Sequence, residues 1–183
     1  MPIKIAKMRP GEFVPVVFLA LAIYSPLQVF ATEPFSAALE TLQNEINYTF
    51  DSIVILRRAV THASFSEENN KAMSILGASV IEASVALKSL AKDLDISPKD
   101  LNRKISEVCN MESSCAKEGS QLGLQKVVRV SPKTNSSSPA VVCGAFRAVI
   151  GAIAVDTGNF DDAMRVFVAV LDGRTASRRA SSW

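Results

Sequence analysis

The side chains of this sequence that could act as nucleophiles or bases are few and scattered. The single histidine, His62, could serve as a general base, but no partner histidine, cysteine or other metal ligand stands near it. Cys143 could serve as a nucleophile, but it lies in a strongly apolar run where a buried, unreactive thiol is usual. Ser64 and Ser74 lack the neighbouring base that a catalytic serine requires. These residues favour structural roles, and their spacing matches no zinc site.

The three cysteines allow one disulfide within the chain and leave one thiol over. Cys109 is predicted to end one helix and Cys115 to lie in the first turn of the next, so the two could approach each other across the connection. In an oxidising compartment we therefore expect a Cys109–Cys115 disulfide, with Cys143 reduced in the core. The alternative is three unpaired thiols that serve as small apolar filler in a reducing compartment.

The elements that would position these residues are predicted to be helices. No strand-like alternation stands out, and the apolar spacing is helical through most of the chain. Ser97, Pro98 and Asp100 form a strong helix start. Residues 132–139, rich in serine and proline, are predicted to form an exposed loop. The predicted helices cover 36–46, 53–61, 71–92, 98–108, 114–123, 140–155 and 161–171. The prediction is an all-α class with a single domain over residues 32–173.

The net charge of +2 is unevenly distributed along the chain. Both ends are basic, and residues 32–173 carry 14 basic and 17 acidic side chains, a net charge of −3. A domain that grips a nucleic-acid backbone usually has a basic excess. Nucleic acid is therefore a possible partner that the charge does not favour. The tail, residues 174–183, is polar and predicted to be disordered.

The first 31 residues have the pattern of a secretory signal peptide. Lys4, Lys7 and Arg9 precede an uncharged apolar run, 13–24, and the small residue Ala31 suits a signal peptidase. We expect cleavage after Ala31 and entry into the secretory pathway, either the endoplasmic reticulum lumen or the cell exterior. The alternatives are an uncleaved membrane anchor, which would be the chain's one membrane contact, and a mitochondrial location.

Two N-glycosylation sequons agree with the secretory route. One begins at Asn135, in the predicted exposed loop, and the other begins at Asn47. Glycan is expected at Asn135. It is less strongly expected at Asn47, because Tyr48 and Phe50 beside it are predicted to anchor the core.

Four blocks of the sequence resemble the ribonuclease III domain, in the order and spacing of that family. They carry a Thr-His-x-Ser element at 61–64, a Leu-Gly-x-Ser anchor at 76–79 and an Ile-Gly-Ala anchor at 150–152. The blocks are LETLQNEINYTF at 39–50, LRRAVTHASF at 56–65, NKAMSILGASVIE at 70–82 and AVVCGAFRAVIGAIAVDTG at 140–158. The resemblance implies a ribonuclease III-like helical domain that forms homodimers or heterodimers.

The resemblance also implies a catalytic site that this chain has lost. In the family, four carboxylates on two helices bind magnesium, which activates water to cut double-stranded RNA. Carboxylates four apart on one helix and three apart on another each share a face, so both pairs point into one site. The matching positions here hold Ser74, Ala78, Gly144 and Arg147. We therefore expect no catalytic residue, no metal ligand and no cofactor, and Arg147 places a cation where the metal ions would sit.

Three classes of function remain open on this reading. The first is a non-catalytic helical interaction protein, and the second is a double-stranded-RNA-binding or RNA-processing accessory. The third is residual ribonuclease activity. Three features favour the first class. They are the net negative charge of residues 32–173, the secretory signal, and the lack of sequence for a separate double-stranded-RNA-binding domain.

Overall fold

A computed structural model describes residues 34–110 and 114–173 of the chain. The predicted signal peptide, 1–31, and the predicted tail, 174–183, lie outside the described residues. The division of the chain at these points therefore stays a prediction.

The described residues form eight α-helices and no β-strand, which confirms the predicted all-α class. One isolated bridge joins Thr61 to Arg129. The helices are α1 (Pro34–Ile46), α2 (Ile53–Ala59), α3 (Lys71–Lys92), α4 (Pro98–Cys109), α5 (Ala116–Gln121), α6 (Leu124–Val127), α7 (Pro139–Thr157) and α8 (Asp161–Leu171).

Most predicted helix boundaries lie at or near the observed ones, and a capping side chain accounts for the start of α4. Helices α3 and α8 have the predicted bounds. At the start of α4, the Ser97 hydroxyl accepts a hydrogen bond from the Asp100 amide at 3.1 Å, as an N-cap serine should. The predicted helix over 114–123 corresponds to α5, which is slightly shorter, and the short helix α6 that follows was not predicted. Gly123 takes a left-handed conformation with φ of 74°, which ends this stretch and starts the separate helix α6.

Helix α7 forms the centre of the fold. Twelve of its nineteen residues are buried, because its sequence is apolar on every side. It crosses α3 at very close range, through Gly77 and Gly151. A Cβ atom added at Gly77 would lie 1.7 Å from the carbonyl oxygen of Arg147, and one added at Gly151 would lie 2.1 Å from that of Met73. The two backbones therefore touch, and glycine is required at both positions.

Among the described residues, α3 and α7 are long and apolar enough to cross a membrane, judged by length and composition alone. In α7, 67% of the most apolar stretch is buried within the fold, which accounts for its composition. In α3 the corresponding figure is only 33%. Part of the apolar surface of α3 therefore faces outward and has no cover among the described residues.

Candidate active site

The crossing of α3 and α7 brings together the four positions that the resemblance assigns to metal ligands. Ser74 and Ala78 lie on α3 at either side of Gly77, which contacts the backbone of α7. Gly144 and Arg147 lie on α7 within one turn of each other, and all four residues are half-buried. The scaffold of a two-helix metal site is therefore present.

The side chains at these positions do not fit a magnesium site. Magnesium takes hard anionic oxygen ligands in near-octahedral geometry. Ser74 offers one neutral hydroxyl, Ala78 and Gly144 offer no ligand atom, and Arg147 brings a positive charge. Within 34–110 and 114–173, no three His, Cys, Asp or Glu side chains converge as a metal site would require. No chemical step through a metal can be derived from this arrangement.

Arg147 has a definite structural contact instead. Its guanidinium donates a hydrogen bond of 2.8 Å to the carbonyl oxygen of Cys109, the last residue of α4. The last carbonyls of a helix lack partners within the helix and carry partial negative charge. A cation at that point satisfies one of them and compensates the helix dipole. Arg147 therefore fixes the end of α4 to α7.

Cys109 lies beside this contact as a half-buried free thiol. Burial raises the pKa of the Cys109 thiol above its usual value, and the carboxylate of Glu82 raises it further, whereas Arg147 acts in the opposite direction. A raised thiol pKa reduces the thiolate fraction at neutral pH. This environment does not activate Cys109 as a nucleophile.

The predicted Cys109–Cys115 disulfide is wrong, and so is the prediction that Cys143 stays reduced. Cys115 is bonded to Cys143 on α7, with Cα atoms 5.1 Å apart. The two cysteines are only 3% and 1% exposed. The physical reason is the placement of Cys115 at the start of α5, where its amide donates to the Asn110 carbonyl at 2.9 Å. Cys115 is buried against α7, while Cys109 stays at the end of α4 beside Arg147.

His62 and Ser64 belong to a local hydrogen-bond network. The Ser64 amide donates to Nδ1 of His62 at 3.1 Å, and the Ser64 hydroxyl lies 2.9 Å from the same nitrogen. The Ser64 oxygen also accepts from the Ser131 amide at 3.1 Å. These contacts join the turn after α2 to the loop after α6, so both residues have the structural role that the sequence favours.

Arg129 has a structural role that its sequence context does not signal. Its guanidinium lies 4.7 Å from the ring centre of Phe35 and 4.9 Å from that of Phe65. It also donates to the hydroxyl of Thr61 at 2.6 Å. Burial lowers the pKa of Arg129, and the nearby charge of Arg57 lowers it further. Arg129 therefore joins Phe35 of α1 to Thr61 and Phe65, at and beside the Thr-His-x-Ser element.

Asp156, near the end of α7, accepts hydrogen bonds from the loop after α1. Its carboxylate accepts from the Tyr48 hydroxyl at 2.8 Å and from the amides of Asp51 and Ser52 at 2.9 and 3.0 Å. Burial raises the pKa of Tyr48 well above its usual value, and so does the hydrogen bond to Asp156. A carboxylate that accepts three hydrogen bonds, two of them from backbone amides, fixes the loop after α1 to the end of α7.

Both predicted glycosylation sites lie on the surface. Asn135 is exposed in the loop before α7, where its side-chain oxygen accepts from the Ser137 amide at 2.9 Å. Asn47 is also exposed, and it takes a left-handed conformation with φ of 53° at the turn after α1. Glycosylation at either site stays a prediction.

The family described as Ribonuclease-III-like matches residues 52–172 of the chain. The chain belongs to the ribonuclease III-like family. The match spans every helix from α2 to α8, so this ribonuclease III-like chain has the family's fold as well as its sequence pattern.

Two relatives within this family are similar in sequence to this ribonuclease III-like chain. Protein NUCLEAR FUSION DEFECTIVE 2 of Arabidopsis thaliana is 55% identical over 143 residues, which are 78% of this chain and 75% of the relative. Ribonuclease 3 of Phenylobacterium zucineum is 29% identical over 146 residues, which are 75% of this chain and 60% of the enzyme. The chain therefore spans about three fifths of this bacterial relative.

Solved structures agree with the sequence comparison. A nuclease domain of ribonuclease III from Campylobacter jejuni, described for flexibility in a region involved in dimer formation, superposes with a TM-score of 0.69 at 26% identity. The alignment covers 73% of this chain and 96% of that domain. A second structure of the same domain gives a TM-score of 0.68. The fold described above is that of a ribonuclease III nuclease domain.

Proposed function

We propose that this chain is a non-catalytic ribonuclease III-like protein. The observation that carries the proposal is Arg147, which stands where the family places a metal-binding carboxylate and is tied to the Cys109 carbonyl at 2.8 Å. A fixed cation at this point repels divalent ions, and the three other positions supply no anionic oxygen. The remaining role is that of a helical interaction protein.

The test is cleavage of double-stranded RNA by the purified full-length chain in magnesium or manganese. We expect no product above background, because water activation requires the complete ligand set. A matched variant carries Ser74→Glu, Ala78→Asp, Gly144→Asp and Arg147→Glu together, and single restorations serve as controls. We expect cleavage only from the fourfold variant. Metal-dependent cleavage by the unmodified chain, abolished by a chelator, would refute the proposal.

The partner that the surface favours is a second copy of the chain, bound through the outer face of α3. This face, the α3 stripe, is exposed and uncharged, with Ile75 72% and Leu87 61% exposed. Exposed apolar side chains in one continuous row are typical of protein interfaces. Its members are Ala72, Ile75, Ser79, Ala83, Leu87 and Leu90. The related Campylobacter jejuni domain is described with a region for dimer formation, which supports self-association of this chain.

Ile75→Glu is expected to weaken the dimer at least roughly 100-fold, because it buries a charge at the centre of an apolar interface. Sedimentation equilibrium measures the change, and far-ultraviolet circular dichroism confirms that the variant is folded. Val155→Glu is the control, since Val155 is 49% exposed on α7 and lies outside the α3 stripe. A folded Ile75→Glu variant that dimerises like the unmodified chain would exclude this interface.

The process we propose is nuclear fusion. The support is the 55% identity to an Arabidopsis thaliana protein named for a defect in nuclear fusion. The role fits a protein that binds partners without cutting RNA. Complementation tests it, because the unmodified chain is expected to rescue a plant that lacks this relative, and Ile75→Glu is expected to fail. Failure of the unmodified chain to rescue, despite normal accumulation, would count against this role.

The location we propose is the secretory pathway. Three features support it: the signal-like segment 1–31, the exposed sequons, and the Cys115–Cys143 disulfide. Disulfides persist in oxidising compartments and are rare in the cytosol. We expect a mature N-terminus at Thr32 and an endoglycosidase-sensitive shift that Asn135→Gln removes. A mature chain that retains residues 1–31, or one that is found in the mitochondrial matrix, would contradict this location.

A further inference from the structure

Two arginine side chains meet at the ring of Phe35 on α1. They are Arg57 on α2 and Arg129 in the loop after α6, and their Cζ atoms lie 5.9 and 4.7 Å from the centre of that ring. Burial lowers the pKa of Arg129, and the positive charge of Arg57 lowers it further. Three separate parts of the chain therefore bring two like charges together on one side of the fold.

Neither of these cations forms an ion pair with a carboxylate of residues 34–110 or 114–173. The ion pairs in that part of the chain involve Lys88, Arg103 and Arg165. Arg57 is exposed and Arg129 is half-buried, so solvent reaches both. Two like charges held close together repel each other. An anion that binds here therefore gains from both cations without separating an existing ion pair.

The orientation of both guanidinium groups is fixed by hydrogen bonds. Arg129 donates to the Thr61 hydroxyl through Nε and Nη2, at 3.2 and 2.6 Å, and that hydroxyl donates to the Arg57 carbonyl at 2.7 Å. Arg57 donates through Nη2 to the Ser36 hydroxyl at 3.2 Å. The Nη1 groups of both arginines donate to no described residue. Because the donors are already oriented, a bound oxyanion costs little side-chain entropy.

Phe65 adds an apolar surface beside these donors. Its ring centre lies 4.9 Å from Cζ of Arg129, yet 50% of the residue is exposed. An exposed aromatic ring can pack against an aromatic or apolar group of a ligand. The arrangement therefore suits a ligand in which an anionic group is joined to an apolar one.

We propose that Arg57, Arg129 and Phe65 form a binding site for a phosphate monoester with an aromatic or apolar organic group. Such a group carries about 1.5 to 2 negative charges at neutral pH, which matches the two cations. The phosphate oxygens accept hydrogen bonds from the guanidinium groups, and the organic group packs on the exposed ring. None of the three residues occupies a position assigned to a metal ligand, so the site is independent of whether the chain cuts RNA.

Titration of the full-length chain with phenyl phosphate, followed by nuclear magnetic resonance, tests the site. The Nε–Hε resonances of Arg57 and Arg129 and the amide resonance of Phe65 should shift and saturate together. Arg57→Gln is expected to weaken binding by at least about tenfold, because it removes one of the two cations. Arg129→Lys keeps the charge but loses the planar donors, and it should weaken binding as well. Circular dichroism confirms that both variants are folded.

Arg165→Gln is the matched control for these variants. Arg165 is an exposed arginine on α8 that already pairs with Asp162, so its loss changes the net charge equally and should leave the affinity unchanged. Equal weakening by Arg165→Gln would mean that phenyl phosphate responds to net charge alone. Unchanged binding by Arg57→Gln would mean that the arginines serve only in packing. Either result overturns the proposal.

Two further probes identify the organic part and its source. Inorganic phosphate should bind more weakly than phenyl phosphate, and Phe65→Ala should abolish that difference; equal affinities for the unmodified chain would contradict the role of Phe65. Phosphatidylcholine vesicles that contain phosphatidic acid present the same group on a lipid. Binding to them that Arg57→Gln weakens would support the site with a lipid headgroup as its ligand. Binding of phenyl phosphate without binding to these vesicles would support it with a soluble ester.

Discussion

Gly151→Ala is expected to lower the free energy of unfolding by about 3 kcal/mol, a large share of the total stability of an ordinary domain. The new Cβ would lie 2.1 Å from the Met73 carbonyl oxygen and 2.8 Å from the Gly77 amide nitrogen. Both atoms belong to the backbone of α3, so no side-chain rotation relieves the overlap. The helices must separate, and the loss then extends to the side chains packed along the crossing.

Equilibrium unfolding in urea measures this effect, and Gly144→Ala provides a matched control in the same helix. A Cβ at Gly144 meets nothing within 4 Å. Alanine is favoured over glycine in a helix interior by about 0.8 to 1 kcal/mol, so the control should be somewhat more stable than the unmodified chain. If Gly151→Ala unfolds at the same urea concentration as Gly144→Ala, the close crossing of α3 and α7 is wrong.

The helices could be predicted from the sequence because local chemistry determines where they start and end. Ser97 and Pro98 begin α4, and Gly158, with φ of 72°, ends α7. Each of these signals acts over one turn of chain and needs no knowledge of the fold. The all-round apolar character of α7 likewise predicts its central position from composition alone.

The contacts between helices could not be predicted in the same way. Cys109 and Cys115 are predicted from the sequence to lie near each other, because few residues separate them. The observed bond joins Cys115 to a residue 28 positions away, which depends on how α5 lies against α7. The disulfide pairing therefore depends on tertiary packing, which local sequence signals do not specify.

Arg147 illustrates the same limit at the candidate site. Its sequence position predicts the loss of a metal ligand. Its hydrogen bond to the Cys109 carbonyl depends on where α4 ends relative to α7, and no local sequence signal specifies that position. The sequence thus predicts that this site has lost a metal ligand, while the structure shows the hydrogen bond that Arg147 makes instead.

Removal of the disulfide is expected to lower the free energy of unfolding by about 3 to 4 kcal/mol. The bond closes a loop between residues 28 apart, and the entropy that such a loop removes from the unfolded chain corresponds to this amount. The variant Cys115→Ala/Cys143→Ala should show this decrease in urea without reductant. Dithiothreitol should produce a similar decrease in the unmodified chain and none in the variant.

Non-reducing peptide mapping determines whether the pairing itself is responsible. The peptides that contain Cys115 and Cys143 should be linked, and Cys109 should react with an alkylating reagent after unfolding. Cys109→Ala is the matched control, because it removes a half-buried thiol that is not bonded and should retain the full stability of the bridge. A Cys109–Cys115 link would close a much shorter loop and contribute only roughly 2 kcal/mol on the same reasoning. A stability loss on reduction near that smaller value, together with that link, would contradict the pairing of α5 with α7.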